Sequence, residues 1–513
     1  MECRRALFVM RGLGLPAALP SARADAAPGR GARTGNLGVS WSRLCQTPLY
    51  WPLRMVSTAR TETTQQSGLL RELGIAEASA VVVGTIIGSG IFLVPSEMMQ
   101  AVGSAKLVYL AWVAGGLLSF FGALTYAELG AMKPLAGGEY VYVRDAYGPL
   151  AGFLYAWTWF LLAKPASIAT ITTGLVRILG TFSIFSFFSS PLLRHPFVVS
   201  YGQLVAIAAT VLISFLNYIG IRKAAEFQLI FTILKIAIIL TIVFIGFSYS
   251  LGTWSHFAEH YPAAKGGIAG FMAALVAALW AYDGWNDLNM VSEEIRQPER
   301  TIPIALIAGV ATVAALYMLV NAAVQYVLPA SAIAASPHAA SDAIGLVWGH
   351  AGAVIVSAGM AVSMLVTLNG TTMSGARVPF AVARDRYFFS ALGYIHPLHR
   401  TPSTAILVQA ALAIILLLLG GSFRQFFSLT IFAEWLFYMI AASTVFVFRR
   451  READAVRPYR VWGYPVVPFL FVLASALLLG YTFSDNLRNS ALGCLVILAG
   501  VPTFYAFARR RGD

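Results

Sequence analysis

From about residue 75 onward the chain is a succession of apolar stretches of roughly 20 residues or more, joined by short polar connections, which is the length needed to cross the hydrocarbon of a bilayer. The pattern predicts twelve helical spans, at 75–101, 106–132, 147–180, 200–219, 225–248, 267–292, 303–328, 343–374, 403–420, 423–447, 463–482 and 488–508. They leave no room for a soluble domain after residue 74. Two spans are interrupted. The first holds Gly84, Gly88 and Gly90, with Ser89 between the last two. Each glycine weakens a helix, and backbone groups left unpaired in hydrocarbon are costly, so a break there must line a cavity or be buried in protein. Ser89 and Gly90 would then open a second half-helix with free N–H groups, which suits a carboxylate. A packing seam would explain Gly84-x-x-x-Gly88, but not Gly90 or Ser89.

The second interruption lies in the sixth span, where Asp283, Gly284 and Asn286 fall at membrane depth. Five spans separate the starts of the two broken helices, and five is odd, so the second unit enters the membrane from the opposite side. Discontinuous helices at matching places in two oppositely inserted halves point to a binding site at the midplane. The chain divides accordingly into an N-terminal extension (1–70), a first inverted repeat (71–250, spans 1–5), a second (251–450, spans 6–10) and a C-terminal pair with a basic tail (451–513).

Composition fits this reading. Of 513 residues 58% are hydrophobic and 12% charged, about half the charged fraction of a soluble domain. The expected class is therefore an all-α membrane protein. A net charge of +13 would also suit a nucleic-acid partner, but its distribution argues otherwise. Fifteen Lys and Arg fall in the inner connections and six in the outer ones (Lys106, Arg177, Arg194, Lys265, Arg424 and Arg488), and Arg509, Arg510 and Arg511 follow on the inner side. This bias places both termini in the cytoplasm. The charge sets topology, and no nucleic acid is expected.

Cys3, Cys45 and Cys494 support neither a disulfide framework nor a metal site. His256-Phe-Ala-Glu-His260 matches an inverted zinc-protease pattern. It sits in a short outer loop without a third ligand, so no metal is expected. No phosphate loop occurs, and no cofactor is expected. Residues 1–70 are rich in Arg, Ala, Gly and Pro without periodicity. They read as a disordered tail or as sequence upstream of a true start at Met55.

Several segments resemble the L-type amino acid transporter family of the amino acid–polyamine–organocation superfamily. They are Gly84-Thr-Ile-Ile-Gly-Ser-Gly-Ile-Phe-Leu-Val-Pro95, Tyr126-Ala-Glu-Leu-Gly-Ala-Met132 with Gly137-Gly-Glu-Tyr140, and Trp280-Ala-Tyr-Asp-Gly-Trp-Asn286 with Glu293-Glu-Ile-Arg-Gln-Pro298. The resemblance covers about residues 75–460. It implies the leucine-transporter fold, with spans 1, 2, 6 and 7 rocking against 3, 4, 8 and 9. It further implies a cell-membrane transporter rather than an enzyme: a sodium-independent exchanger of neutral or cationic L-amino acids. A proton-coupled symporter and a non-transporting amino acid sensor are the competing readings.

By this resemblance Ser89 and Gly90 receive the substrate carboxylate on their N–H groups, while carbonyls of Ile86, Trp280 and Asp283 receive the ammonium. Trp280 also serves as an aromatic gate. Asn286 stands near the substrate or stabilises the break. Gly84, Gly88 and Gly284 break the helices. No cysteine occurs at 181–200, where animal relatives carry the one that tethers a heavy chain, so no disulfide-linked partner is expected.

Four charges are expected within the spans, Lys164, Lys235, Asp283 and Glu434, and such residues face the interior and have a task. Lys235 matches the family lysine that replaces a sodium ion. Asp283 is the candidate partner for a cationic substrate, or else pairs with Lys164 or Lys235. Lys164, next to Pro165, is expected to satisfy carbonyls freed by the kink. Glu434 has no evident partner. Glu293 and Glu294 are expected to pair with Arg296 and Arg300 in an inner loop.

Overall fold

Each of the twelve predicted apolar segments is helical in a computed structural model of the chain, which describes residues 68–193, 199–419, 423–485 and 487–509. The N-terminal extension through residue 67, with Cys3, Cys45 and Met55, lies outside the described residues, as do Arg194, Arg510 and Arg511. In chain order the helices are α1 (Ile75–Ile86), α2 (Gly90–Val102), α3 (Ala105–Met132), α4 (Glu139–Tyr147), α5 (Pro149–Thr158), α6 (Lys164–Leu179), α7 (Tyr201–Tyr218), α8 (Ile221–Phe247) and α9 (Gly267–Ala281). They continue as α10 (Asp287–Met290), α11 (Pro298–Val327), α12 (Ala330–Ala335), α13 (Ala339–Gly375), α14 (Arg377–Arg384), α15 (Ser403–Leu419), α16 (Phe423–Arg451), α17 (Val466–Asp485) and α18 (Leu487–Arg509). Among the described residues ten helical stretches are long and apolar enough to cross a membrane, α1 and α2 being taken as one stretch. Two apolar helices, α9 and α15, are shorter. A short antiparallel pair, Pro191–Leu193 with Val199–Ser200, precedes α7.

Helix α8 shows how the sequence sorts its faces. Ala224, Gln228, Thr232, Lys235 and Ile239 recur at helical spacing and are buried. Ile230, Ile233, Leu234 and Phe244 are exposed, an apolar exterior suited to lipid. The polar residues face inward because only the protein interior offers them partners.

The segment between α5 and α6 differs from the expected proline kink. Trp159–Ala163 form a wide π-helical turn immediately before Lys164 and Pro165. A wider turn absorbs the clash between a proline ring and the carbonyl four residues earlier. The backbone relieves the proline itself, leaving the Lys164 ammonium free for other work.

Both expected interruptions are present. Helix α1 ends at Ile86, Gly88 donates to the Ile86 carbonyl at 2.7 Å, and α2 begins at Gly90. Residues 282–286 separate α9 from α10, and Gly284 adopts φ +105°, a region that favours glycine. A Cβ on Gly284 would stand 2.8 Å from Cγ2 of Thr85, and one on Gly90 would stand 2.7 Å from Cα of Ala281. The two breaks therefore lie backbone against backbone. Gly84, by contrast, lies inside α1 and not in the break; a Cβ there would run into Thr232 and Gln228 of α8. It is a close-packing glycine, as the seam reading of Gly84-x-x-x-Gly88 supposed.

Candidate functional site

A cavity opens where the two breaks meet, with about 610 Å³ of unfilled space including its mouth. The first break contributes Ile86, Gly88, Ser89 and Gly90 to its wall, and the second contributes Trp280, Ala281, Asp283 and Gly284. Lys164 and Ser167 of α6 and Glu434 of α16 also line it. Of the expected site residues, Gly84, Lys235 and Asn286 are not on the wall.

The first turn of a helix leaves N–H groups without intrahelical acceptors, and these carry the positive end of the helix dipole. At the start of α2 the N–H groups of Ser89, Gly90 and Ile91 meet no protein acceptor among the described residues. The negative ends of two half-helices lie beside them. The Tyr317 hydroxyl is 3.0 Å from the Ile86 carbonyl, where α1 ends, and 2.8 Å from the Ala281 carbonyl, where α9 ends. A hydroxyl has one proton, so Tyr317 serves one carbonyl at a time; Ile86 also accepts from the Gly88 N–H at 2.7 Å, and a carbonyl's second lone pair is what remains for a further donor. The Trp280 carbonyl, an expected acceptor, likewise accepts one N–H, from Asp283 at 3.1 Å, and Ala281 offers a further carbonyl at the end of α9. Neither Ala281 nor Tyr317 was foreseen. The available signal was a single buried tyrosine in the apolar run of α11, since a buried phenol needs a partner.

Lys235 stands behind the first break. Its ammonium donates to the carbonyls of Gly84 at 2.8 Å, of Ser363 at 3.1 Å, and of Ile87. The Ser363 hydroxyl also donates to Ile87, at 2.9 Å. Lys235 is thus a buried cation among converging carbonyls.

The Lys164 ammonium does not serve proline-freed carbonyls. It pairs with Asp287 of α10 at 2.5 Å, and both side chains are buried. Asp287 lies in the sixth predicted span, four residues after Asp283, but was not among the four charges expected to act within the spans. Asp283 forms no ion pair with Lys164 or Lys235 among the described residues. It accepts from the Tyr438 hydroxyl at 2.8 Å. Tyr438 also lies 3.1 Å from Oδ1 of Asn286, whose amide donates to Glu139 at 2.7 Å. Asn286 therefore braces the break from behind, one of the two roles expected of it. Burial pushes the Glu139 carboxyl, in the connection between spans, up to about 8.

The inner-side ion pairs differ from expectation. Glu294 forms a fully buried two-point pair with Arg377, at 2.8 and 2.9 Å, and Glu293 pairs with Arg384 at 2.9 Å. Arg296 instead reaches Glu72 at 3.1 Å. Sequence proximity favoured Arg296 and Arg300, but the fold turns both glutamates toward α14.

This arrangement agrees with the proteins the chain is similar to. The family described as amino acid permease matches residues 73–504. The serine/threonine exchanger SteT of Bacillus subtilis (strain 168) is 33% identical over 457 residues, covering 88% of this chain and all of that protein. The b(0,+)-type amino acid transporter 1 of Homo sapiens is 31% identical over 460 residues, covering 87% of this chain and 90% of that protein. The cystine/glutamate transporter of Homo sapiens is 28% identical, with 86% and 85% covered. The chain belongs to the amino acid permease family, in the L-type branch of the amino acid–polyamine–organocation superfamily. It is a multi-pass membrane protein that transports amino acids, not an enzyme.

Proposed function

We propose that the chain is a sodium-independent amino acid exchanger that works by alternating access. One observation carries the reading: two helix breaks lie against each other on the wall of one cavity, bringing the unpaired N–H groups at the start of α2 beside the carbonyls that end α1 and α9. Such an arrangement suits the α-carboxylate and α-ammonium that every amino acid shares, whatever its side chain. Ser89 and Gly90 take the carboxylate; Ile86, with Ala281, takes the ammonium. Trp280 closes over the substrate.

Lys235, bonded to three carbonyls around the first break, supplies the positive charge that a sodium ion would otherwise bring. The fold we propose is that of the leucine transporter, with twelve spans. Repeats at 71–250 and 251–450 are related by inversion, and 451–513 is appended. The charge bias supports an orientation with both termini cytoplasmic, and the membrane we propose is the cell membrane. The absence of cysteine at 181–200 favours function without a disulfide-linked heavy chain.

Purified protein in liposomes tests the reading. Labelled leucine should enter vesicles preloaded with amino acid, not empty ones, and replacing sodium by choline should change nothing. Uptake into empty vesicles driven by a pH gradient would mean proton symport, with Asp283 or Glu434 as the titrating group. Saturable binding without flux would mean a sensor.

A further inference from the structure

The charge balance of the cavity is uneven. Three carboxylates line it, Asp283, Asp287 and Glu434, against one ammonium, Lys164. That ammonium is committed to Asp287 at 2.5 Å. Asp283 and Glu434 are left without a paired cation among the described residues, and they differ in how well the protein satisfies them. Asp283 accepts from the Tyr438 hydroxyl at 2.8 Å. Glu434 is 2% exposed, and a single long hydrogen bond reaches it among the described residues, from the Ser167 hydroxyl to Oε1 at 3.3 Å. Its other oxygen, Oε2, receives none. Buried charge is costly unless paired and hydrogen-bonded, and intramembrane acids face cavities that serve substrates or ions. Glu434 lies within electrostatic reach of Asp283, Asp287 and Lys164, and among the described residues Lys164 is the one cation on the cavity wall.

We infer that the cavity is built for an amino acid whose side chain is cationic, an ammonium or guanidinium, and that Glu434 selects it. This rests on the transporter reading, because the backbone groups hold the shared zwitterion. The side-chain cation then completes the hydrogen bonding of Glu434 and neutralises a wall that the protein leaves negative. Asp283 contributes to the field, but the Tyr438 hydroxyl already engages it at 2.8 Å, against the 3.3 Å bond that Glu434 receives from Ser167, so it is the weaker partner.

The test is competition against labelled leucine in preloaded liposomes, with lysine, ornithine and arginine set beside alanine and leucine. Wild-type protein should be inhibited more strongly by the cationic set. In Glu434→Gln the ratio of lysine to leucine uptake should fall by roughly tenfold or more, the effect of one lost charge-assisted hydrogen bond. Glu434→Asp should restore part of the preference, and Asp283→Asn should lower the ratio less than Glu434→Gln does. An unchanged ratio in Glu434→Gln, or a larger fall in Asp283→Asn, overturns the inference. Should Glu434→Gln fail to reach the membrane, the wild-type panel decides: cationic competitors weaker than neutral ones overturn it. Wild-type protein that exchanges neutral amino acids alone sinks the inference and spares the transporter reading; protein that exchanges neither class sinks both.

Discussion

Replacing Lys235 with methionine is expected to cut exchange of every substrate by about thirtyfold while leaving a folded protein of lower thermal stability. Methionine keeps most of the stem's packing and removes the ammonium. The carbonyls of Gly84, Ile87 and Ser363 then lose their shared donor. The remaining donors nearby are the hydroxyls of Ser363 and Thr367, each with one proton, and Thr367 is already shared between Gly84 and Ile87 at 3.2 Å. Leaving a buried acceptor unmade costs about 1–3 kcal/mol. A loss of about 2 kcal/mol in holding the broken conformation is close to thirtyfold in its population. Because Gly84 and Ile87 flank the end of α1, the loss falls on the segment that presents Ile86 and Ser89 to the cavity. Exchange in liposomes and melting in detergent check the two effects separately. Undiminished uptake would remove Lys235 from the mechanism.

A second large effect is expected at Arg377. Its guanidinium makes two parallel hydrogen bonds to Glu294, and neither side chain is accessible to solvent. Arg377→Met leaves the Glu294 carboxylate buried without a counter-ion, which costs about 3–5 kcal/mol. The same pair replaced on both sides by apolar residues is often neutral. The double variant Glu294→Met with Arg377→Met should therefore recover most of the stability lost by Arg377→Met alone. Melting of the two single variants and the double closes the cycle. Additive losses would mean that the two residues act independently, contrary to the geometry. Because the pair ties the segment after the second break to α14, its single variants should also slow exchange.

The breaks were legible in the sequence because their cause is local. Gly88, Ser89 and Gly90 in one apolar run, and Asp283, Gly284 and Asn286 in another, conflict with a continuous helix wherever they are placed. The position of Lys235 was legible too, since a lysine that deep in a span must find acceptors. What could not be read was tertiary. Asp287 is one acid beside the second break until the fold brings it to Lys164, and Tyr317 is an ordinary aromatic until two helix ends converge on its hydroxyl. Gly84 was read as part of the break because it shares the spacing of Gly88. The distinction depends on Thr232 and Gln228 of α8, which no local pattern reveals. Glu293 and Glu294 were assigned neighbours in sequence, whereas Arg384 and Arg377 reach them from far along the chain.

The account depends on main-chain groups at the two breaks gripping the part common to all amino acids. The most direct measurement is an electron-microscopy density map of the protein in a bilayer mimetic with lysine bound. The account predicts the α-carboxylate on the N–H groups of Ser89, Gly90 and Ile91, and the α-ammonium on the carbonyls of Ile86 and Ala281. Lysine bound elsewhere, or residues 75–102 and 267–290 winding without interruption, would contradict it.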